Sequence, residues 1–225
     1  MLSGLFNYDN PVWRFIGKFF DLMILNLLWF VCSIPIVTMG ASTTAVYYVT
    51  LKLVRDEEGS TIKDFFKSFK ENFRQATCLW LIFLAAGAVI GFDFYFFLRI
   101  QNVQSNFRTI MLAVFLAFAI VYLGMLLFAF PLQARFYNPV KKTLFNSFFM
   151  SIRHFLPSIG MLAIDAGFLA LALIILPMLQ ALLFLFGLPL FAFFHSFVLV
   201  GIFDRYLPKE TEGSDSEEDS RKDIS

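Results

Sequence analysis

Residues Asn26–Gly59 read NLLWFVCSIPIVTMGASTTAVYYVTLKLVRDEEG, and how this stretch is read decides the fold. It opens as a membrane helix and is interrupted by Pro35 and Gly40. It restarts at Ser42-Thr43-Thr44, passes Tyr47 and Tyr48, and leaves through the charged run Arg55–Glu58. One reading is a hairpin of two spans with a tight outer turn at Pro35–Gly40, in which Ser42 or Thr43 caps the second helix. The other is a broken helix. Its unpaired backbone groups are tolerated at membrane depth only where protein or a water-lined cavity satisfies them, as in transporters.

Working outward, 59% of the 225 residues are hydrophobic, above the 45–50% apolar content usual in soluble domains. Several continuous apolar runs approach the ~20 residues that cross a bilayer, so the fold class is an all-α, polytopic integral membrane bundle. The alternating ~10-residue segments of a β-barrel are absent. Expected spans are 19–37, 41–54, 77–98, 109–130, 158–176 and 188–204. An N-terminal interfacial helix over 10–18 precedes them, capped by Asn10 and bearing Trp13 and Arg14. The acidic segment 207–225 is expected to be disordered.

Two basic amphipathic connections join the spans. In the first, Ile62, Phe65, Phe66, Phe69 and Phe73 share a helical face, with Lys63, Lys67, Lys70 and Arg74 elsewhere. In the second, Leu144, Phe145, Phe148, Phe149, Ile152 and Phe155 share a face, with Lys141, Lys142 and Arg153 elsewhere. Both fit interfacial helices that contact anionic lipid, or docking faces for a partner. FFKSFKENF (Phe65–Phe73) also echoes FFMSIRHFL (Phe148–Leu156).

Charge sets the expected topology. If 41–54 crosses, all but Arg99 and Arg108 of the 18 Lys and Arg residues lie on one side. The positive-inside rule then gives about six spans, two cytoplasmic amphipathic connecting helices and both termini in the cytoplasm. If 41–54 is re-entrant, there are five spans.

At the central stretch the sequence resembles a known family. LFNYDNPVWRF, SIPIVTMGASTTAVYYVTLKLVRDEEG and FFKSFKENFRQAT are similar to the YesL family of bacterial membrane proteins, over about residues 3–205. The resemblance implies a bacterial plasma membrane location and a loose link to carbohydrate utilisation. It implies no known activity and no site residues.

Phosphate-binding glycine loops, HExxH, CxxC pairs and GxSxG are absent, and the chain has only two histidines. No enzymatic activity, cofactor, metal or nucleic acid is therefore expected. Cys32 and Cys78 read as apolar packing residues. Candidate residues are polar groups at membrane depth, where a charge costs roughly 2.5–3.5 kcal/mol on insertion scales and needs a reason. Asp165 and His195 lie on successive spans and could meet, either as a proton- or solute-sensitive pair or as a hydrogen bond that pins the bundle. Asn26 reads as packing glue, and Asp93 as reaching the outer interface near Tyr95 and Arg99. Asp21 is placed to pair with Lys18. Small residues at Gly87 and Gly91 suit close helix approach. The expected function is a non-enzymatic accessory or sensory membrane protein, with the bilayer and a membrane transport or signalling complex as partners. The alternative is a small-solute transporter or channel using Pro35, Gly40, Ser42, Thr43, Thr44, Tyr47, Tyr48, Asp93, Asp165 and His195.

Overall fold

Pro35 ends the first helix, because it has no N–H to donate and its ring clashes with the carbonyl four residues back. Helix α1 therefore covers Pro11–Cys32 and stops short of residue 37. One 3-10 turn, Ile36–Thr38, leads into α2, Met39–Val54. Then come α3 (Thr61–Arg99), α4 (Ser105–Arg135), α5 (Val140–Arg153), α6 (Phe155–Ile174) and α7 (Pro177–Phe203). The structure, a computed structural model, describes residues 11–57, 59–99, 105–174 and 177–206. Asn10, residues 101–104 of the polar turn and the acidic tail from 207 lie outside the described residues, as do the side chains of Trp13 and Arg14.

Side-chain contacts give the path of the chain. Lys18 near the start of α1 reaches Asp56 after α2, while Trp29 near the end of α1 donates to Thr43 near the start of α2. The two helices are therefore antiparallel. Lys52 with Asp64, and Gly40 against Ala76, make α2 and α3 antiparallel in turn. Tyr122 donates to the Phe83 carbonyl and Gln133 to Gln75, which returns α4 alongside α3. His195 meets Asp165, and Tyr206 meets His154, which sets α7 antiparallel to α6.

The central element is α2. Ten of its residues are buried, among them Ser42, Thr44, Tyr47 and Thr50. This accounts for its polarity, since its hydroxyls meet neighbouring helices and its own backbone. Ser42 donates to the Thr38 carbonyl and Thr44 to the Gly40 carbonyl, each one turn back. The expected cap at Ser42 or Thr43 is therefore corrected: α2 begins earlier, at Met39. Gly40 is required by close approach, because a Cβ there would sit 2.3 Å from the Ala76 carbonyl oxygen and 2.5 Å from the Trp80 Cβ.

The first basic amphipathic segment is not a separate surface helix. It is the first third of α3, a 39-residue helix about 58 Å long at 1.5 Å per residue. Its buried stripe, Phe65, Ser68, Asn72, Ala76, Leu79 and Phe83, runs unbroken through both parts. Ile62, Phe66 and Phe73 face outward. In α5 the inward stripe is Thr143, Ser147, Met150 and Ser151, while Phe145, Phe149 and Ile152 are exposed. Small polar residues thus pack inside and most of the phenylalanines point out, Phe65 excepted, the arrangement expected where the surrounding medium is lipid. The two echoed segments agree at Ser68 and Ser151, both buried, and differ at Phe65, buried, against Phe148, exposed.

Helices α3, α4 and α7 are long and apolar enough to cross a membrane. The pair α5–α6, bent by 91°, makes a fourth only where the two are taken together as one broken span. At 16 residues α2 is about 24 Å long, short of the ~30 Å hydrocarbon core. Three further expectations are corrected. Lys18 pairs with Asp56 at 2.7 Å, and Asp21 instead accepts from the Thr61 hydroxyl. The two small residues of α3 separate: Gly87 faces Tyr122, whereas Gly91 has open space around it. Cys78 is exposed rather than packed, and Cys32 is half-buried.

Candidate functional site

Thr43 and Tyr47 stand one turn apart on α2 and so project from the same face. That face looks onto His195 of α7. The Tyr47 hydroxyl lies 3.3 Å from His195 Nδ1, and His195 Nε2 lies 3.1 Å from Asp165 Oδ1 on α6. An ionised carboxylate can only accept, so Nε2 donates to Asp165; with a neutral imidazole, Nδ1 then accepts from the Tyr47 hydroxyl. His195 is 4% exposed, while the Asp165 side chain is 30% exposed. The chain of three groups thus runs from a closed interior to an accessible carboxylate.

That carboxylate opens into a cavity of 690 Å³ between α2, α4, α6 and α7. Its walls are mostly apolar, with Leu126, Phe130, Leu162 and Phe191 among them. Trp29 and Trp80 present rings to it, and Thr43, Tyr47, Asp165 and His195 supply the polar contacts. Leu123 on α4 and Leu169 on α6, both exposed, also line it. Below His195, the Ser196 hydroxyl donates to the Ala192 carbonyl at 2.7 Å and lies 3.0 Å from Thr50 Oγ1. This buried contact joins α7 to α2.

Two interruptions of helical backbone border the cavity. The first is Ser33–Thr38, ahead of Met39. The second is Gly187 in α7, where φ is +38° and ψ is −133°. Such breaks need donors and acceptors from within the protein. Trp80 Nε1 donates to the Ile36 carbonyl at 2.8 Å. The Thr38 hydroxyl lies 2.6 Å from the Cys32 carbonyl and 2.7 Å from that of Pro35. Asn26 Nδ2 donates to the Leu185 carbonyl at 3.0 Å, and its amide oxygen fills the space a Cβ at Gly187 would occupy. Asn26 is therefore specific to the break in α7, a role its sequence position alone did not disclose.

Of the candidate residues, the structure brings Thr43, Tyr47, Asp165 and His195 together. Ser42 and Thr44 bond to their own helix, Gly40 sets the α2–α3 approach, and Pro35 makes the first break. Tyr48 lies away from the cavity, with Lys52 Nζ 5.8 Å from its ring centre. Asp93 is half-buried near the C-terminal end of α3 and does not line the cavity. Lys63, Lys67, Lys70, Arg74, Lys141, Lys142 and Arg153 are all exposed. Among the described residues, no three His, Cys, Asp or Glu side chains gather closely enough to hold a metal ion.

Sequence reading missed Trp29, Trp80 and Gly187. The signal for the last was Gly187-Leu-Pro189, two helix-disrupting residues inside an apolar run. It also missed a buried amide network. Gln133 Nε2 donates to Asn72 Oδ1 at 3.2 Å and to Gln75 Oε1 at 2.6 Å, and Thr143 donates to Gln133 Oε1 at 2.9 Å. This network ties α3, α4 and α5 together at the charged end of the bundle.

No curated protein and no solved structure matches the chain. Residues 22–94, which take in the second half of α1, all of α2 and most of α3, match the family model described as "Protein of unknown function, DUF624".

Proposed function

We propose that the protein is a non-enzymatic small-solute carrier, with the cavity between α2, α4, α6 and α7 as its solute site. The observation that supports this is the convergence of Thr43, Tyr47, Asp165 and His195, from three helices, on one cavity bordered by two backbone breaks. Ligand sites are typically concave and mostly apolar, with a few placed polar groups, and discontinuous helices mark many transporter sites. In this reading the accessible Asp165 carboxylate accepts from a solute hydroxyl or amine. Trp29, Trp80 and Phe191 cover apolar faces of the solute.

The YesL resemblance supports a bacterial plasma membrane setting and a carbohydrate-related solute, and residues 22–94 overlap the run that carries it. The contacts that gather Lys18, Lys52, Arg55, Arg135 and Arg153 toward one end of the bundle support cytoplasmic termini.

Uptake into proteoliposomes tests the proposal, using a panel of labelled sugars and the variants Asp165→Asn and Leu169→Trp. The second places an indole at the exposed edge of the cavity. Wild type is expected to accumulate at least one solute, with initial rates at least tenfold lower in both variants. Equal rates in all three would overturn the assignment of this cavity.

A second reading, an accessory or sensory subunit of a transport or signalling complex, is favoured by the exposed face of Phe145, Phe148, Phe149 and Ile152 on α5. Recovery of a stoichiometric partner in mild detergent, with no uptake by the protein alone, would favour it.

A further inference from the structure

The end of α4, one face of α5 along its whole length and Tyr206 just after α7 enclose a second pocket, of 410 Å³, at the charged end of the bundle. Five polar side chains line it: Asn138, Lys142, Asn146, Arg153 and Tyr206. None of them is acidic. Among the described residues, no side-chain hydrogen bond or ion pair occupies Asn138, Lys142 or Asn146. Arg153 is held in place differently, its guanidinium 5.6 Å from the centre of the Tyr206 ring. Tyr206 is in turn anchored by its hydroxyl, 3.0 Å from His154 Nε2. Helix α5 starts beside the pocket with no acidic residue in its first turn and no side-chain cap, so its positive end is uncompensated. At one end of the pocket Lys142, Asn138, Asn146 and the helix start make a site for a phosphate group; Arg153, eleven residues on and so about 16 Å along α5, adds its charge from the other end.

The remaining wall says what carries the phosphate. Phe149 and Met150 are apolar lining residues. The Phe149 ring packs 4.4 Å from that of Phe145, and both belong to the exposed face of α5. α5 meets α6 at 91°, so a bilayer crossed along the axis of α6 would have α5 lying along its surface, at the level of the headgroups. The polar pocket thus continues directly into an apolar surface at the membrane boundary. We propose that this pocket binds the headgroup phosphate of an anionic phospholipid, whose acyl chains run along the Phe145–Phe149 face. Basic pockets between helix ends at a membrane surface are suited to such headgroups. The site is separate from the solute cavity and does not depend on the carrier reading.

Native mass spectrometry of the protein released from nanodiscs tests this, with equal amounts of phosphatidylglycerol and phosphatidylcholine supplied. Wild type is expected to retain phosphatidylglycerol with at least a tenfold preference. Lys142→Ala with Arg153→Ala should lose that preference. Both positions are exposed, and circular dichroism and size-exclusion profiles report their folding. Asn146→Asp, which keeps the shape of the pocket and adds a negative charge, should lose it too. Lys67→Gln with Lys70→Gln removes the same charge outside the pocket and should keep the preference. An unchanged preference in the pocket variants would overturn the proposal, as would equal loss in the Lys67/Lys70 variant. Displacement of the lipid by millimolar glycerol phosphate would also overturn it, showing a soluble phosphate to be the ligand.

Discussion

Gly40→Ala should be the most damaging single-methyl change in the protein. The added Cβ would stand 2.3 Å from the Ala76 carbonyl oxygen and 2.5 Å from the Trp80 Cβ. Ordinary C···O contacts begin near 3.3 Å, so α2 and α3 must separate by roughly 1 Å. The obstacle is backbone, and no rotamer change relieves it. Overpacking of this kind costs about 1–3 kcal/mol. The same displacement stretches the bond from Trp80 Nε1 to the Ile36 carbonyl, now 2.8 Å, whose loss adds about 1 kcal/mol. A total of about 2–4 kcal/mol corresponds to a fall in melting temperature of roughly 4–16 °C for a chain of this size. The assay is thermal unfolding in detergent, followed by tryptophan fluorescence, since Trp80 sits at the contact. Gly91→Ala is the control: it makes the same chemical change on α3 with nothing within 4 Å. If Gly40→Ala melts within 1 °C of wild type, or no lower than Gly91→Ala, the close approach of α2 and α3 is refuted.

Asn26→Leu removes the donor to the Leu185 carbonyl and should destabilise by about 1–3 kcal/mol. Gly187→Ala should be at least as damaging, because it also forces a side chain into positive φ; thermal melts of both check this. Gln133→Leu strands Asn72 and should cost about 1–3 kcal/mol in denaturant titrations, whereas loss of the exposed Lys67 charge should cost nothing measurable. Burial, with Arg153 and Arg205 nearby, holds His154 below the usual histidine range. The unfolded chain therefore takes up this proton first as pH falls, so the contribution of neutral His154 is intact above pH ~6.5 and is lost on acidification below it. Melting temperature should fall between pH 7.5 and 5.5, and His154→Gln should flatten that dependence; an unchanged slope in the variant would count against it.

The helical character and most helix positions were legible because apolar runs and a proline break are local signals. The convergence of Asp165 and His195 was legible too, from polar residues at matching depth on successive spans. What was not legible is orientation. The phenylalanine faces of Ile62–Phe73 and Leu144–Phe155 dominate the periodicity, yet the residues that pack inside are mostly small and polar, Ser68 and Asn72 in one and Thr143 and Ser147 in the other. In a lipid setting the hydrophobic effect does not distinguish inside from outside, and close packing of small residues takes over. The continuity of α3 was hidden for a related reason. Lys63, Lys67, Lys70 and Arg74 mark a change of solvent along the helix, and a change of solvent resembles a change of element. Asn26 and Gly187 are 161 positions apart, and nothing local in either announces the other.

The unbroken length of α3 has a mechanical consequence. A helix of about 58 Å with one buried stripe behaves as a rod, and its pivot lies near Trp80, where α2 presses closest. Tilting the rod by about 10° would move each end by about 5 Å, in opposite directions. The Lys63–Arg74 arm and the Phe92–Arg99 end would then act as the two arms of a lever. A disturbance at the cavity between α2, α4, α6 and α7, which Trp80 lines, would be displayed as movement of a charged arm at the far end of the bundle. Spin labels at Glu71 and Gly91 should report displacements that are correlated and opposite; independent motion at the two sites would mean that the rod bends.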